Sequence, residues 1–359
     1  MIAEEQTLAA VEALVDETLA SLDAQWLELA APVKPRPGVL HTDSILDLYR
    51  ALVRSGGKKI RPRMVHWGWA AAGAPPDGHR HVVRAAAALE LLHAFALIHD
   101  DVMDESASRR GHPSVHAAAA EQHRSRGASG AAARYGESIA ILVGDLAHEE
   151  ACALAMDLPA PMRRLWRTLS VELMLGQGRD LVGAANRRRD LEHAREVARV
   201  KSGAYTISRP LQLGAAAAGA SERTVAALLA FGEHLGLAFA LRDDLLGVFG
   251  DPGQTGKPVG DDLVAGKPTV LFALATASFP ESPTNGNPRL TRSGLLHLEA
   301  GDVPAVQRRL RESGVIDRVE GMIAESVAAA KAALEDSAVE PRAASALGAL
   351  ADRIAWRSA

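Results

Sequence analysis

Apolar residues recur along this chain at intervals of three and four and almost nowhere at intervals of two. A period near 3.6 marks helices that bury one face, whereas strict alternation would mark strands. The pattern starts near residue 4, in "EEQTLAAVEALVDETLASLDAQW". It is broken first by "APVKPRPG", whose three prolines cannot continue a helix. It resumes as "HTDSILDLYRALVRSGG", where Thr42, Asp43 or Ser44 can cap the start and Gly56 with Gly57 the end. Later breaks at "AAGAPPDG", "RRGHPSVH", "RSRGASG", "MDLPAPM", "FGDPGQTGKP" and "FPESPTNGNP" are each followed at once by renewed periodicity, so none reads as a domain linker. No solenoid-length repeat is present. The pattern predicts one all-α domain over 1–359, with 1–37 as an N-terminal helix and a proline-rich connection.

Composition agrees. Alanine-rich runs such as "RAAAALELLHAFA" and "AESVAAAKAALED" dominate, and alanine and leucine are the strongest helix formers. Hydrophobic residues make up 48% of 359, enough for a large core. A net charge of −4 gives no reason to expect nucleic acid as a partner. The single cysteine, Cys152, rules out an internal disulfide, and no His/Cys cluster has zinc spacing, so a reducing, cytoplasmic setting is expected. The N-terminus is acidic and amphipathic, unlike a secretory leader. No run of roughly 18 apolar residues is unbroken, so no membrane span is expected.

Charge changes the picture in two places. A helix predicted over about 81–104 carries Asp100, Asp101 and Asp104 at its C-terminal end, where the macrodipole disfavours acids by about 0.3–1 kcal/mol each. Asp100 and Asp104 share a face about 6 Å apart along the axis and repel unless a cation joins them. "HLGLAFALRDDLLGVFGDPG" repeats the arrangement with Asp243 and Asp244. Carboxylates without His or Cys partners suit Mg²⁺ shared with substrate phosphates. Only seven of the 40 basic residues are lysines, and five of those lie in "GGKKIRP", "VKSGAYT", "TGKPVGDD" and "AGKPTVL". A compact ammonium can contact several phosphate oxygens, so a diphosphate substrate fits these lysines.

In this order the motifs resemble those of the trans-isoprenyl diphosphate synthases, or polyprenyl synthetases, over nearly the whole chain. "GGKKIRP", "ELLHAFALIHDDVMDESASRRG", "GQGRDL", "VKSGAYT", "FALRDDLLG", "TGKPVGDD" and "AGKPTVL" carry the likeness. The resemblance implies an orthogonal helical bundle of the isoprenoid synthase type, with central helices around a deep apolar cavity. It implies Asp100, Asp104 and Asp243 as direct Mg²⁺ ligands, with Asp101 and Asp244 acting through water, and about three ions per site. Arg109 would serve the allylic diphosphate, Lys201 and Ser202 would contact diphosphate, and Lys257 and Lys267 match later family lysines that bind substrate. Lys58, Arg61, His93 and Arg110 would hold isopentenyl diphosphate. Dimethylallyl, geranyl and farnesyl diphosphates are the implied primers, and a homodimer the implied assembly. His93, Leu97, Asp100 and Asp104 do recur at spacings that place them on one helical stripe.

The implied chemistry is head-to-tail condensation. Charge is drawn off the allylic diphosphate as its C–O bond breaks, the isopentenyl double bond attacks the cation, and the departing pyrophosphate takes the proton. No protein nucleophile is needed, and no Ser/His/Asp arrangement is visible. Product length in the family is set just before the first aspartate, here at Phe95 and Ala96; one aromatic beside a small residue resembles geranylgeranyl (C20) synthases. Farnesyl and C25 products are the alternatives.

The second acidic motif departs from the family pattern at both ends: Ala240 stands where a glutamine is usual and Gly247 where a last aspartate is usual. Losing the amide could cost about 1–3 kcal/mol of transition-state binding. That leaves two rivals, a weakly active subunit of a heteromeric synthase and a class I terpene cyclase. A cyclase has no use for an isopentenyl diphosphate site, so "GGKKIRP" with His93 and Arg110 disfavours it.

Overall fold

Two long apolar helices form the centre, as their periodicity predicts: α4, His79–Met103, and α10, Glu222–Phe249. The structure, a computed structural model, describes residues 2–30, 40–250, 260–281, 291, 295, 298–335 and 338–357. The proline-rich connection and Lys257 lie outside the described residues. Before α4 come α1 (Glu4–Leu29), α2 (Ser44–Arg54) and α3 (Ile60–Ala70). After it come α5 (Val115–Ser125), α6 (Ala132–Met156), α7 (Ala160–Ala185) and α8 (Leu191–Val197). A π-helical segment, Ala198–Ser208, then leads into α9 (Arg209–Ala217). Beyond α10 follow α11 (Asp261–Val264), α12 (Val270–Ser278), α13 (Val303–Glu312), α14 (Val315–Ala333) and α15 (Pro341–Ala355).

The buried side chains fall into two clusters. One surrounds α4 with α1, α2 and α6, around Tyr49, Leu92, Phe95 and Val143. The other surrounds α10 with the C-terminal helices, around Phe231, Leu241, Phe272 and Ile323. Between them run α3, the π segment and α9, each contributing to both: Met64 and Val65, Ile207 and Tyr205, Leu211 and Leu213. The stretches Pro76–Met103 and Glu222–Phe249 are apolar and long enough to cross a membrane, but 61% of the most apolar part of each is buried within the protein. Their apolar faces are used to build the core.

Two local geometries aim side chains at one end of these central helices. The only strands among the described residues, β1 (Ser108–Arg109) and β2 (His112–Pro113), pair antiparallel with Arg109 opposite His112. Their two-residue loop puts Arg110 at φ 53° and Gly111 at φ 75°, the positive pair that a tight hairpin of this twist requires. The π segment lies against α10 at a glycine crossing: a Cβ on Gly236 would stand 2.8 Å from the Gly203 Cα. On its other flank a Cβ on Gly176 of α7 would stand 2.7 Å from the Lys201 Cα. Only glycines allow the backbone carrying Lys201 to come this close to both helices.

Candidate active site

The predicted α4 helix spans two residues more at its start and delivers Asp104 as the C-cap. Each acid at that end has a cation. Lys201 Nζ stands 2.5 Å from Asp180 Oδ2 and 3.2 Å from Asp100 Oδ1. Burial works against the Lys201 charge, but Asp100 and Asp180 outweigh it and raise its pKa. Lys267 Nζ lies 2.5 Å from Asp104 Oδ2 and 3.4 Å from Asp262 Oδ1. Burial again opposes the charge, and Asp262, Asp104 and Asp100 raise it. Arg109, held by the hairpin, donates from Nε to Asp101 Oδ1 at 3.0 Å and has Nη2 3.7 Å from Asp100. Lys267 thereby joins the end of α4 to Asp262 on α11, which stands against Gly247 of α10, and through this link the two acidic motifs are brought near each other as two walls.

On the second wall Asp243 is the outward acid, with its side chain half exposed, and Arg357 pairs with it. The Arg357 guanidinium lies 4.4 Å from the centre of the Phe239 ring, one turn earlier on α10. Asp244 instead faces inward and accepts the Val270 backbone N–H at 3.0 Å, at the start of α12. Burial and the nearby Asp262 hold its carboxyl well above the usual carboxylate range. Asp101 is likewise internal, 2% exposed and bound to Arg109. Asp101 and Asp244 are thus the inner acids, whereas Asp100 and Asp104 are only partly covered and Asp243 is half exposed.

Cations dominate the adjoining side. Arg61, from the first turn of α3, lies 4.2 Å over the Tyr205 ring and donates from Nη2 to Thr206 Oγ1 at 3.0 Å. The His93 ring centre is 6.3 Å from that of Tyr205. Burial, with Arg61, Arg110, Arg109 and Lys59 around it, pushes the His93 pKa well down, so the imidazole is neutral. Arg110 Nη1 reaches Ser55 Oγ at 3.1 Å and the Gly56 carbonyl. Lys59, at φ 50°, pairs with Glu90 at 2.8 Å. Lys58 sits where Arg357 and Asp243 both act on it, its pKa lowered by burial and by Arg357. Ser202 is half-buried on the π segment next to Lys201.

The structure thus gathers Lys58, Arg61, His93, Asp100, Asp104, Arg109, Arg110, Lys201, Asp243 and Lys267 at one end of the bundle. Phe95 lies lower on α4, 8% exposed, its ring edge-on to His99 at 4.7 Å and His148 at 5.0 Å, with half-buried Ala96 beside it. Ala240 is buried at 2%. The departure at Gly247 has a steric reason: a Cβ there would meet Asp262 Oδ2 at 2.0 Å, so the Asp262 carboxylate takes the space beside the glycine. Sequence reading missed Asp180, Tyr205, Thr206, Asp262 and Arg357. Asp180, Tyr205, Thr206 and Asp262 were within reach, since each belongs to a motif already singled out for its other residues.

Among the described residues no three His, Cys, Asp or Glu side chains form a ready-made metal cage. The acidic side chains are separated by Lys201, Lys267, Arg109 and Arg357, cations that a bound Mg²⁺ and phosphate could replace or share. An all-carboxylate donor set fits Mg²⁺, which keeps several waters and binds through one or two carboxylates plus phosphate.

A family model for polyprenyl synthetases matches residues 42–287, and the chain belongs to that family. The geranylgeranyl diphosphate synthase of Mycobacterium tuberculosis is 36% identical over 236 residues, which are 64% of this chain and 61% of that protein. The geranylfarnesyl diphosphate synthase of Aeropyrum pernix is 30% identical over 296 residues, 77% of this chain and 87% of that one. The crystal structure of geranylgeranyl pyrophosphate synthase from Corynebacterium glutamicum, complexed with isoprenyl diphosphate and magnesium, superimposes with a TM-score of 0.88 at 35% identity. That match covers 99% of this chain and 100% of the other. The all-α architecture is therefore that of the isoprenyl synthases.

Lys267 is the cation that spans the two walls, so its loss should be felt in stability. Lys267→Met is expected to lower the unfolding free energy by about 3–5 kcal/mol, because Asp104 and Asp262 are left facing each other unpaired. Urea denaturation measures this, and Asp104→Asn in the same background should recover part of the loss. An unchanged midpoint would show that the two walls are not joined through Lys267.

Proposed function

We propose that this protein condenses isopentenyl diphosphate head-to-tail (1′–4) with an allylic diphosphate to give a short-chain all-trans prenyl diphosphate, with geranylgeranyl diphosphate (C20) as the product. The separation of charge within the site carries this reading. Asp100, Asp104 and Asp243 make an acidic rim, while Lys58, Arg61 and Arg110, with neutral His93, make a cationic side next to it. Two diphosphates need such a division, since one arrives with metal and the other without. The relatives named as geranylgeranyl, geranylfarnesyl and farnesyl diphosphate synthases support the class and leave the length to the chain's own ruler.

Bound Mg²⁺, carried by Asp100, Asp104 and Asp243, would neutralise charge building on the allylic diphosphate. Lys201, Lys267 and Arg109 lie where they can donate to the same phosphate oxygens as the C–O bond breaks; the loss of one such donor typically costs about 10²–10³-fold in rate. Lys257, outside the described residues, is proposed for the same role on the motif resemblance. Arg61, Arg110 and Lys58 hold the isopentenyl diphosphate so that its double bond faces the allylic carbon, and neutral His93 donates a hydrogen bond to it. The buried Ala and Leu side chains of α4 keep water from the cation. Asp101 and Asp244 act indirectly in this account, Asp101 by fixing Arg109 and Asp244 by fixing the start of α12.

Assembly follows from surface chemistry. Val171, Met174, Leu175 and Val182 are all exposed along one side of α7, and Ile141 and Leu142 are exposed on α6. A row of apolar residues at helical spacing in open solvent suits an isologous dimer face. The domain, 1–359 as a single unit, would pair through it. Sedimentation should give a dimer, and Leu175→Glu a monomer; a wild-type monomer would remove the homodimer from the account.

Incubation of the purified protein with Mg²⁺, isopentenyl diphosphate and C5, C10 or C15 allylic diphosphates is expected to yield a C20 diphosphate. Phe95→Ala should lengthen it, since the ring closes the space between α4 and α6. A hydrocarbon product would instead make the protein a cyclase, and activity only with an added homologue would make it a regulatory subunit. Farnesyl or C25 diphosphate would move the length without changing the class.

A further inference from the structure

The π segment decides which of its side chains share a face. Its hydrogen bonds run i to i+5, about 4.4 residues per turn, so residues five apart differ by only about 50° in direction instead of the about 140° of an α-helix. Lys201, Tyr205 and Thr206 therefore project toward the site together, while Gly203 turns to α10. Lys201 serves the acidic rim through Asp100, whereas Tyr205 and Thr206 both touch Arg61. One short segment thus spans both halves of the site.

Three buried polar atoms meet on its cationic side. Arg61 Nε, His93 Nδ1 and the Tyr205 hydroxyl are enclosed, and none has a well-formed hydrogen bond among the described residues. Burial pushes the Tyr205 hydroxyl up to about 12, so the ring is neutral and its face stays available to the guanidinium 4.2 Å away. Among the described residues no carboxylate pairs with Arg61; the Tyr205 ring and the Thr206 hydroxyl hold it, and both leave its positive charge uncancelled. A carboxylate in that place would bind the guanidinium more tightly but would repel a diphosphate.

We propose that Tyr205, with Thr206, is a positioning residue for isopentenyl diphosphate: its ring face aims the Arg61 guanidinium at the diphosphate without neutralising it. This rests on the reading of Arg61 as an isopentenyl diphosphate contact. A desolvated cation–π contact of this kind corresponds to roughly 2- to 30-fold in affinity. The effect belongs to the ring and not to the hydroxyl, and it belongs to one substrate and not to both.

The test is steady-state kinetics of the full chain with each substrate varied in turn. Tyr205→Leu is expected to raise the KM for isopentenyl diphosphate by roughly 2- to 30-fold, with the allylic KM little changed. Tyr205→Phe, which keeps the ring, should restore the wild-type value, and Thr206→Val should raise the isopentenyl KM alone by a few fold. Arg61→Leu separates the two layers of the argument: if it leaves the isopentenyl KM unchanged, the site assignment itself fails. If Arg61→Leu raises that KM but Tyr205→Leu and Thr206→Val do not, or if both substrates are affected equally, the positioning role is wrong. Should Tyr205→Leu not fold, Thr206→Val and Arg61→Leu still decide the matter.

Discussion

Three carboxylates crowded at the C-terminal end of one apolar helix are the constraint around which this molecule is arranged. Asp100, Asp101 and Asp104 repel one another and oppose the helix dipole, so each must find a cation. No single neighbour supplies them. Arg109 comes from the first strand of a tight hairpin, Lys201 from a π-wound segment, and Lys267 from the turn before α12. Each of those elements takes a shape that ordinary helix or strand propensity would not give it, and each is anchored by a glycine or by an inward acid. Asp180 fixes Lys201, Asp101 fixes Arg109, and Asp262 fixes Lys267. The cost of gathering like charge is offset by a site whose charges are already oriented.

The same constraint divides the site. Around α4 acids outnumber cations, since Lys201 is shared by Asp100 and Asp180, Lys267 by Asp104 and Asp262, and Arg109 is taken by Asp101, so an added metal ion would balance surplus negative charge. Around His93, Arg61 and Arg110 are held by a ring, hydroxyls and a carbonyl and only Lys59 is paired with a carboxylate, Glu90, so positive charge is left over for an anion. Arg357 sits between the halves, paired with Asp243 on one side and acting on Lys58 on the other. A cyclase would need only the first half, which is why the second half weighs so heavily for condensation.

Much of this was legible in the sequence. Helix periodicity places the first central helix within two residues and marks the second without fixing its start, and misplaced acids with persistent lysines point to metal and diphosphate. The residues that escaped did so for physical reasons. Thr206 lies on a segment whose winding is not 3.6, so face counting from Lys201 places it on the wrong side, while Tyr205 falls on the right face but carries no charge to mark it. Arg357 comes from the far end of the chain, and no local pattern ties it to Phe239 and Asp243. Gly247 looked like a lost acid, yet the Asp262 carboxylate stands against it, a proximity made by a loop that carries no periodic signal. Ala240 remains a substitution that nothing in the structure explains.

The central claim is that one half of the site binds diphosphate through metal and the other through fixed cations. Calorimetric titration with a non-ionisable allylic diphosphate analogue and with isopentenyl diphosphate, each with and without Mg²⁺, tests it directly. The account predicts that Mg²⁺ tightens the allylic analogue by about tenfold or more, some 1.4 kcal/mol, and leaves isopentenyl diphosphate nearly unchanged. Equal Mg²⁺ dependence for both ligands, or none for either, would contradict it.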